Sequence, residues 1–404
     1  MEKIRATYKG TFGDFGALLR AHKKASHSRK HKPSVMKFEV DKLANVSELL
    51  DELIHKTYRI GSYKKFYVYE PKKREIQFLP YRDKVVEHVL CDEILNPFFQ
   101  RRVIYDNCGC VIGKGWYFAI KRVRHHLRQM LIEREGRLNK DREIYCLKCD
   151  IKKYFPSMSH DVIRRGIGER IADKDIRDLF DMFVDSYATP DKYLEDNNIP
   201  RLSCNRGVPI GNQISQVLGY FFLDPMDKYI KERLRIKHYI RYMDDFIIFH
   251  HSKERLEEIL SSIKKGLSGS LQLELNEKTQ IVKVDKSIKF LGINFFIKRS
   301  TNSCVGTDSG GGYRIITRIQ RRVIDKVKSF VKYANENPAD VMIEHDYYRS
   351  AFSSYNGFFK RTSSYGKYHQ IINTLDKDVH DVIFSKKERP RYSQMRRYLL
   401  TNFS

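Results

Sequence analysis

The sequence has no long apolar run, and it holds a single Trp among its 404 residues. No segment reaches the roughly 18 consecutive apolar residues that a membrane-spanning helix needs, so we expect no membrane partner. The first residues, MEKIRATYKG, lack the apolar stretch of a secretion signal. The seven cysteines are dispersed and odd in number, which is typical of reduced thiols. We therefore expect a cytoplasmic protein.

Acidic residues are in the minority. Lys and Arg number 76 against 50 Asp and Glu, which gives a net charge of +26. Such an excess favours a polyanionic partner, because each phosphate that a cation neutralises releases a counterion. The alternative is a basic surface that only keeps the protein soluble. The charge therefore favours a nucleic-acid-binding protein, and the 41% hydrophobic content indicates a globular one.

Two segments place carboxylates beside apolar runs. Asp244 and Asp245 lie between two such runs, where a tight hairpin would turn, and Asp150 ends the run that begins at Ile144. Each segment alone is more typical of an ordinary turn or a helix N-cap. Carboxylates held in apolar surroundings are costly, and a divalent metal such as Mg²⁺ is the usual reason to keep them there. Together the segments predict a two-metal site for phosphoryl transfer.

These acids belong to a longer series of motifs. Tyr242-Met243-Asp244-Asp245 resembles the Y-x-D-D motif of reverse transcriptases, and Asp150 with Phe155 resembles the first catalytic block of that family. Other family motifs are matched in order over roughly residues 60–365, namely those at 79–83, 113–115, 206–212, 275–279 and 290–292. The resemblance implies an α+β right-hand polymerase with catalytic residues Asp150, Asp244 and Asp245. It also implies two Mg²⁺ ions, with Mn²⁺ as the alternative ion, on Asp150, Ile151, Asp244 and Asp245.

The resemblance further implies which residues contact the incoming dNTP. The ring of Phe155 would exclude a 2′-hydroxyl and so select deoxyribonucleotides, the alternative being that Phe155 is only part of the core. Lys72 and Arg74 would hold the triphosphate from the tip of a finger hairpin. The remaining expected dNTP contacts are Arg82, Gly207, Pro209, Gln213 and Lys278.

A second set of residues would contact the RNA–DNA duplex. Tyr242 and Met243 would lie near the primer terminus, and Phe290, Leu291 and Gly292 would form the primer grip. Lys114 lies in a glycine-bounded loop, and Arg322 lies on a basic amphipathic helix predicted over 316–334. Both would contact primer or template.

The motif order predicts the organisation of the chain. An N-terminal arm and fingers would span 1–145, and a palm would span 146–312, with a finger-associated segment at 190–225. A helical thumb would follow over 313–384, and a basic tail over 385–404. The glycine- and serine-rich stretch 306–312 is the predicted boundary before the thumb.

One stretch of the sequence resembles a bacterial subgroup of the family in particular. Ile210–Gln216 carries an I-G-N-x-x-S-Q pattern, similar to that of bacterial diversity-generating and antiphage-defence reverse transcriptases. We therefore expect cDNA synthesis on a dedicated noncoding RNA template in antiphage defence. Mutagenic retrohoming with a small accessory protein is the alternative within this class, and a template-independent nucleotidyltransferase is another. A non-catalytic RNA-binding or chaperone protein on the same fold is the alternative from a different class, and it predicts the loss of a catalytic acid.

Overall fold

The computed structural model describes residues 2–68, 74–135, 143–200, 202, 204–285, 287–299 and 313–384. Lys72 and the tail 385–404 lie outside these ranges, as does the stretch 306–312. Nineteen α-helices are present in the described part of the chain: α1 (Tyr8–Phe12), α2 (Phe15–Ala25), α3 (Pro33–Val40), α4 (Lys42–Ile54), α5 (Tyr81–Val89), α6 (Asn96–Phe99), α7 (Trp116–Glu135), α8 (Tyr154–Ser157), α9 (His160–Gly166), α10 (Lys174–Asp185), α11 (Asp191–Asp196), α12 (Gln213–Phe221), α13 (Asp224–Lys228), α14 (Lys253–Gly266), α15 (Arg321–Glu336), α16 (Pro338–Ile343), α17 (His345–Phe359), α18 (Tyr365–Ile372) and α19 (Lys377–Phe384). None of the described helices is long and apolar enough to cross a bilayer.

The strands form three antiparallel sheets. Their bounds are β1 (Lys64–Val68), β2 (Arg74–Phe78), β3 (Tyr145–Asp150), β4 (Tyr239–Tyr242), β5 (Asp245–His250), β6 (Gln280–Lys283), β7 (Ser287–Phe290), β8 (Ile293–Arg299) and β9 (Tyr313–Ile319). β1 pairs with β2, β7–β9 form a three-stranded sheet, and the central sheet has the order β4-β5-β3-β6. The predicted α+β fold is confirmed.

The central sheet is covered on both faces, which explains its continuous apolar strands. Successive residues of β5 alternate between two cores: Phe246 and Ile248 belong to the first, whereas Ile247 and Phe249 belong to the second. The first core includes the N-terminal helices together with α5, α10, α12 and α14. The second includes α7, the β7–β9 sheet and the C-terminal helices α15–α19. The sheet therefore lies between two packed layers, and its strand ends define where a cleft can form.

One local prediction was wrong. The helix expected over 316–334 begins only at Arg321, since Tyr313–Ile319 is strand β9, in which Ile315, Thr317 and Ile319 are buried in alternation. This alternation of period two, with β-branched residues, favours a strand over a helix.

Candidate active site

The β4–β5 hairpin presents the paired acids at its turn. Tyr242 pairs with Asp245, so Met243 and Asp244 are the two turn residues. Met243 adopts a left-handed backbone conformation with φ of 58°, which closes so short a turn. Both acids are half-buried at the edge of the central sheet.

The third acid lies directly across from this turn. Asp150 is the last residue of β3 and is paired with Asp245 of β5. Residues opposite each other in an antiparallel pair have Cα atoms about 4.5–5.5 Å apart. The Ile151 amide donates to the carbonyl of Asp244 over 3.3 Å, and the Asn276 amide donates to the carbonyl of Asp150 over 2.7 Å. The structure therefore brings Asp150, Ile151, Asp244 and Asp245 together, as the sequence predicts.

Burial and mutual repulsion disfavour the ionised acids. Burial is the largest cause that raises the pKa of Asp244 to about 6, and the charge of Asp150 adds to it. Burial, followed by the charges of Asp244 and Asp150, raises the pKa of Asp245 to about 7. Arg74 partly offsets the shift at Asp244, and Arg322 partly offsets that at Asp245. Since these cations act on the pKa values of the acids, β2 and α15 bring positive charge towards the same centre.

The carboxylates fit a Mg²⁺ site in which water and the substrate phosphates would supply the remaining ligands. Among the described residues, no group of three or more His, Cys, Asp or Glu side chains closes into a metal cage. Mg²⁺ in phosphoryl-transfer enzymes is bound through one or two carboxylates, water and the substrate phosphates rather than by an all-protein cage. Adjacent carboxylates are hard oxygen ligands, and a bound cation would lower their raised pKa values. They are therefore suited to such an ion.

A buried arginine holds the β4–β5 turn in place. The guanidinium of Arg241 donates to the Asp227 carboxylate over 2.8 and 2.5 Å, and to the carbonyl of Met243 over 3.0 Å. It also donates to the carbonyl of Tyr220 over 2.8 Å. Both charged side chains of the Arg241–Asp227 pair are fully buried. Sequence reasoning missed this pair; the only available signal was an arginine inside the apolar run that leads into Asp244.

Phe155 packs beside the same turn. A Cβ atom added to Gly219 would lie 2.5 Å from Cε of Met243 and 3.1 Å from Cζ of Phe155, so both side chains cover that glycine. One added to Gly109 would lie 2.6 Å from Cγ of Met243. The Phe155 ring is only partly buried and lies 5.3 Å from the ring of Tyr154. This position next to the carboxylates is compatible with the predicted sugar gate.

The predicted dNTP motif packs against β2. Gly211 has φ of 129°, and a Cβ there would come within 3.0 Å of the Gln77 carbonyl on β2. The Gln77 amide in turn donates to the carbonyl of Ile210 over 3.1 Å, so the finger hairpin rests on this motif. Gly207 is also required, since its φ is 99° and a Cβ would lie 1.8 Å from Oγ1 of Thr189.

The other predicted dNTP residues are engaged in different ways. Gln213 begins α12 and donates from Nε2 to Oδ1 of Asp92 over 2.6 Å, whereas the carbonyl of Pro209 accepts from the Ser215 hydroxyl over 2.6 Å. Arg82 on α5 pairs with Glu52 inside the fingers, and Lys278 is exposed in the turn before β6. Their contacts with a nucleotide remain predictions.

The predicted primer grip is a two-residue hairpin turn. Leu291 and Gly292 connect β7 to β8, and both have positive φ angles, 47° and 79°. Phe290 is buried beneath this turn. Trp116, which sequence reasoning missed, donates from Nε1 to the carbonyl of Leu291 over 3.0 Å and stacks 4.3 Å from the ring of Phe358. The turn is therefore held between α7 and α17.

The cation of Lys114 is used within its own loop. Its Nζ donates to the carbonyls of Tyr105, over 2.7 Å, and Asn107, over 3.2 Å, and it lies over the ring of Phe118. Lys114 therefore braces this loop in the present structure, and contact with primer or template remains a prediction. Tyr242 is half-buried on β4 beside the catalytic turn.

Comparisons with known proteins agree with this geometry. A family model described as reverse transcriptase (RNA-dependent DNA polymerase) matches residues 71–295, more than half of the 404-residue chain. Protein YkfC of Escherichia coli (strain K12) is 24% identical over 287 residues, which cover 62% of this chain and 71% of that protein.

A solved structure of apo telomerase from Candida tropicalis, truncated from the C-terminal domain, is also similar. It has a TM-score of 0.41 and 12% identity, and the match covers 61% of this chain and 56% of that chain. The family match includes β2, all four strands of the central sheet and the turn that carries Asp244. The family match confirms the predicted right-hand polymerase fold, and the chain belongs to the reverse transcriptase family of RNA-dependent DNA polymerases.

Proposed function

We propose that this chain copies a dedicated noncoding RNA into cDNA by two-metal phosphoryl transfer, and that it does so in bacterial antiphage defence. The observation that carries the chemistry is the pairing of Asp150 with Asp245, with Asp244 in the adjoining turn. A non-catalytic RNA-binding protein has no need to keep three acids together in a half-buried site where the ionisation of Asp244 and Asp245 is disfavoured.

The proposed mechanism assigns the acids to metal binding and the cations to the triphosphate. Two Mg²⁺ ions on Asp150, Asp244 and Asp245 would activate the primer 3′-hydroxyl and stabilise charge on the leaving pyrophosphate. Arg74 would neutralise the triphosphate from β2, since its charge already acts on Asp244. Phe155, beside Met243, would exclude a ribose 2′-hydroxyl from the sugar position.

The stretch Ile210–Gln216 supports the narrower role. In the resemblance, its I-G-N-x-x-S-Q pattern is typical of enzymes dedicated to one noncoding RNA. In the structure it supports the finger hairpin through Gln77 and begins α12, whose first amides face the buried carboxylate of Glu87; the Ile214 amide donates to Glu87 over 2.9 Å. This stretch is therefore hydrogen-bonded to β2 and to α5, beside which the template base and the dNTP would meet.

The proposal is tested in a bacterial host that carries the gene with its native flanking sequence. RNA and DNA that copurify with the wild-type chain and with Asp150→Asn are sequenced, and phage plating efficiency is measured for both. We expect one abundant structured RNA in both samples, with its cDNA and phage protection only in the wild type. Random cellular RNA without cDNA would contradict the proposal. Substitutions confined to template adenines, without phage protection, would favour mutagenic retrohoming instead.

A further inference from the structure

A small pocket lies behind the palm, at the far end of β5 from the catalytic acids. It has a volume of about 270 Å³ and is lined by the end of α7, the segment Leu234–His238, the residues Phe249–His251 and Arg255. β5 is six residues long, from Asp245 to His250. At about 3.4 Å per residue, the pocket is therefore about 17 Å from the catalytic acids along the strand. We call it the back-palm pocket.

Two buried imidazoles face this pocket with an unsatisfied nitrogen. The side chains of His238 and His251 are 7% and 9% exposed. Their Nε2 atoms lie 3.4 and 3.9 Å from the two carboxylate oxygens of Glu133. Neither Nε2 makes a hydrogen bond to any described residue. A buried polar nitrogen without a partner is costly, so both atoms indicate a ligand.

The partner of the other ring nitrogen fixes the orientation of His251. Nδ1 of His251 lies 2.9 Å from the carbonyl of Glu143, which can only accept, so this nitrogen carries the proton. Nε2 of His251 is therefore held towards the pocket, next to the carboxylate of Glu133, and makes no hydrogen bond to a described residue.

A chain of polar contacts positions the ring of His238. Burial lowers the pKa of His238 to about 4, so its ring is neutral at pH 7. Its Nδ1 lies 3.1 Å from Nδ1 of His126, whose Nε2 lies 3.0 Å from the Asp106 carboxylate.

Cations surround the mouth of the pocket. Arg235 and Lys237 are exposed, and Arg255 is 43% exposed. Glu133 is the one carboxylate among the lining residues, and Lys237 pairs with it over 2.7 Å. A ligand that suits this surface carries negative charge at the mouth and a hydrogen-bonding group inside. A ribose 2′-hydroxyl next to a backbone phosphate has both, and a deoxyribose has only the phosphate.

We propose that the back-palm pocket binds one ribonucleotide unit of an RNA strand outside the primer–template duplex. The 2′-hydroxyl forms a hydrogen bond with Nε2 of His251 or His238, and the neighbouring phosphates contact Arg235 and Lys237. The inference rests on the proposed function to the extent that the partner is RNA. It adds a second RNA contact, remote from the catalytic acids. Through this contact the enzyme would prefer a template with an additional single-stranded RNA segment over a template without one.

The test compares RNA and DNA extensions on one duplex. The full chain is titrated into a fluorescein-labelled primer–template duplex with no extension, with a ten-nucleotide RNA extension, or with the same extension in DNA. Extensions at the template 5′ and 3′ ends are separate probes. We expect the RNA extension at one end to bind roughly 2- to 10-fold more tightly than DNA, as one net hydrogen bond predicts.

The substitution His251→Asn tests the proposed contact between the 2′-hydroxyl and Nε2 of His251. The Asn amide can still donate to the carbonyl of Glu143, but it offers no Nε2 to the pocket, so we expect the RNA preference to disappear while the bare duplex binds as before. Arg235→Ala with Lys237→Ala should lower the salt dependence for extended probes by about 1.4, at about 0.7 for each single-strand phosphate contact. The matched control is Lys9→Ala with Lys174→Ala, two exposed cations on α1 and α10.

Several results would overturn the inference. Equal binding of the RNA and DNA extensions by wild type, or an unchanged preference in His251→Asn, would exclude the 2′-hydroxyl contact. Micromolar competition by free AMP would show that the pocket takes a nucleotide and not a strand, and stoichiometric Zn²⁺ that is lost in His251→Asn would show a metal site. Primer extension on a template without the extra strand tests the proposed function separately, since it does not need the pocket.

Discussion

Replacing Arg241 by Met should destabilise the protein and loosen the catalytic turn together. The substitution keeps much of the side-chain volume, but it removes the charge that balances the buried Asp227 carboxylate. It also removes the donors to the carbonyls of Met243, at 3.0 Å, and Tyr220, at 2.8 Å. Tyr239 would remain as a partner of Asp227, since its hydroxyl donates over 2.6 Å.

The expected loss follows from the burial of the pair. Removing one member of a buried ion pair costs about 3–5 kcal/mol, because the other charge is left without compensation. Arg241→Met with Asp227→Asn leaves no such charge and should recover most of the loss. Arg321→Met is the matched control, since Arg321 is 92% exposed in its 3.7 Å pair with Asp325. An exposed pair contributes about 0–1 kcal/mol.

The assay is urea unfolding of the four proteins. Primer extension is measured separately, without urea, at a temperature where all four remain folded. We expect the single variant to lose both stability and extension. The double variant should regain stability but not full extension, because the carbonyl of Met243 still lacks its donor. A loss below about 1 kcal/mol in the free energy of unfolding of Arg241→Met would refute the argument that removing one member of this pair leaves a buried charge without compensation. Full activity in the single variant would refute its role in the turn.

Two further predictions concern the cleft. Phe155→Ala should raise rNTP incorporation at least tenfold relative to dNTP, measured by single-nucleotide extension, whereas an unchanged ratio would assign Phe155 to the core alone. Because burial raises the pKa of Asp244 to about 6 and of Asp245 to about 7, their contribution to metal-free stability should fall as pH rises from about 4 to about 7. Mg²⁺ should therefore raise the melting temperature more at pH 8 than at pH 6, and an equal shift at both values would count against Mg²⁺ binding by these acids.

The sequence could predict that Asp150, Asp244 and Asp245 lie together, because a local pattern places each of them. Asp150 ends one apolar strand, and Asp244 and Asp245 lie in a two-residue turn between two others. Any antiparallel arrangement that pairs β3 with β5 in this register brings the acids together. Gly292 likewise marks the primer-grip turn, because a two-residue hairpin with two positive φ angles favours glycine.

The side chains that hold the site in place could not be predicted from local patterns. Arg241 and its partner Asp227 are 14 residues apart, on a strand and a helix whose packing no local pattern specifies. Trp116 reaches the carbonyl of Leu291 across 175 positions of the chain. The start of the helix predicted over 316–334 was misplaced because Ile315–Ile319 fits a helical period and a strand period, and only pairing with β8 decides between them.

The most direct test of the central claim is primer extension on an RNA template with Mg²⁺ and dNTPs. Wild type is compared with Asp244→Asn, and with Asp178→Asn as a control for an exposed acid, since Asp178 is 60% exposed on α10. We predict template-dependent extension by wild type and Asp178→Asn, and a loss of at least two orders of magnitude in Asp244→Asn. Equal extension by Asp244→Asn, or no extension by wild type even on copurified RNA, would contradict catalysis by these carboxylates.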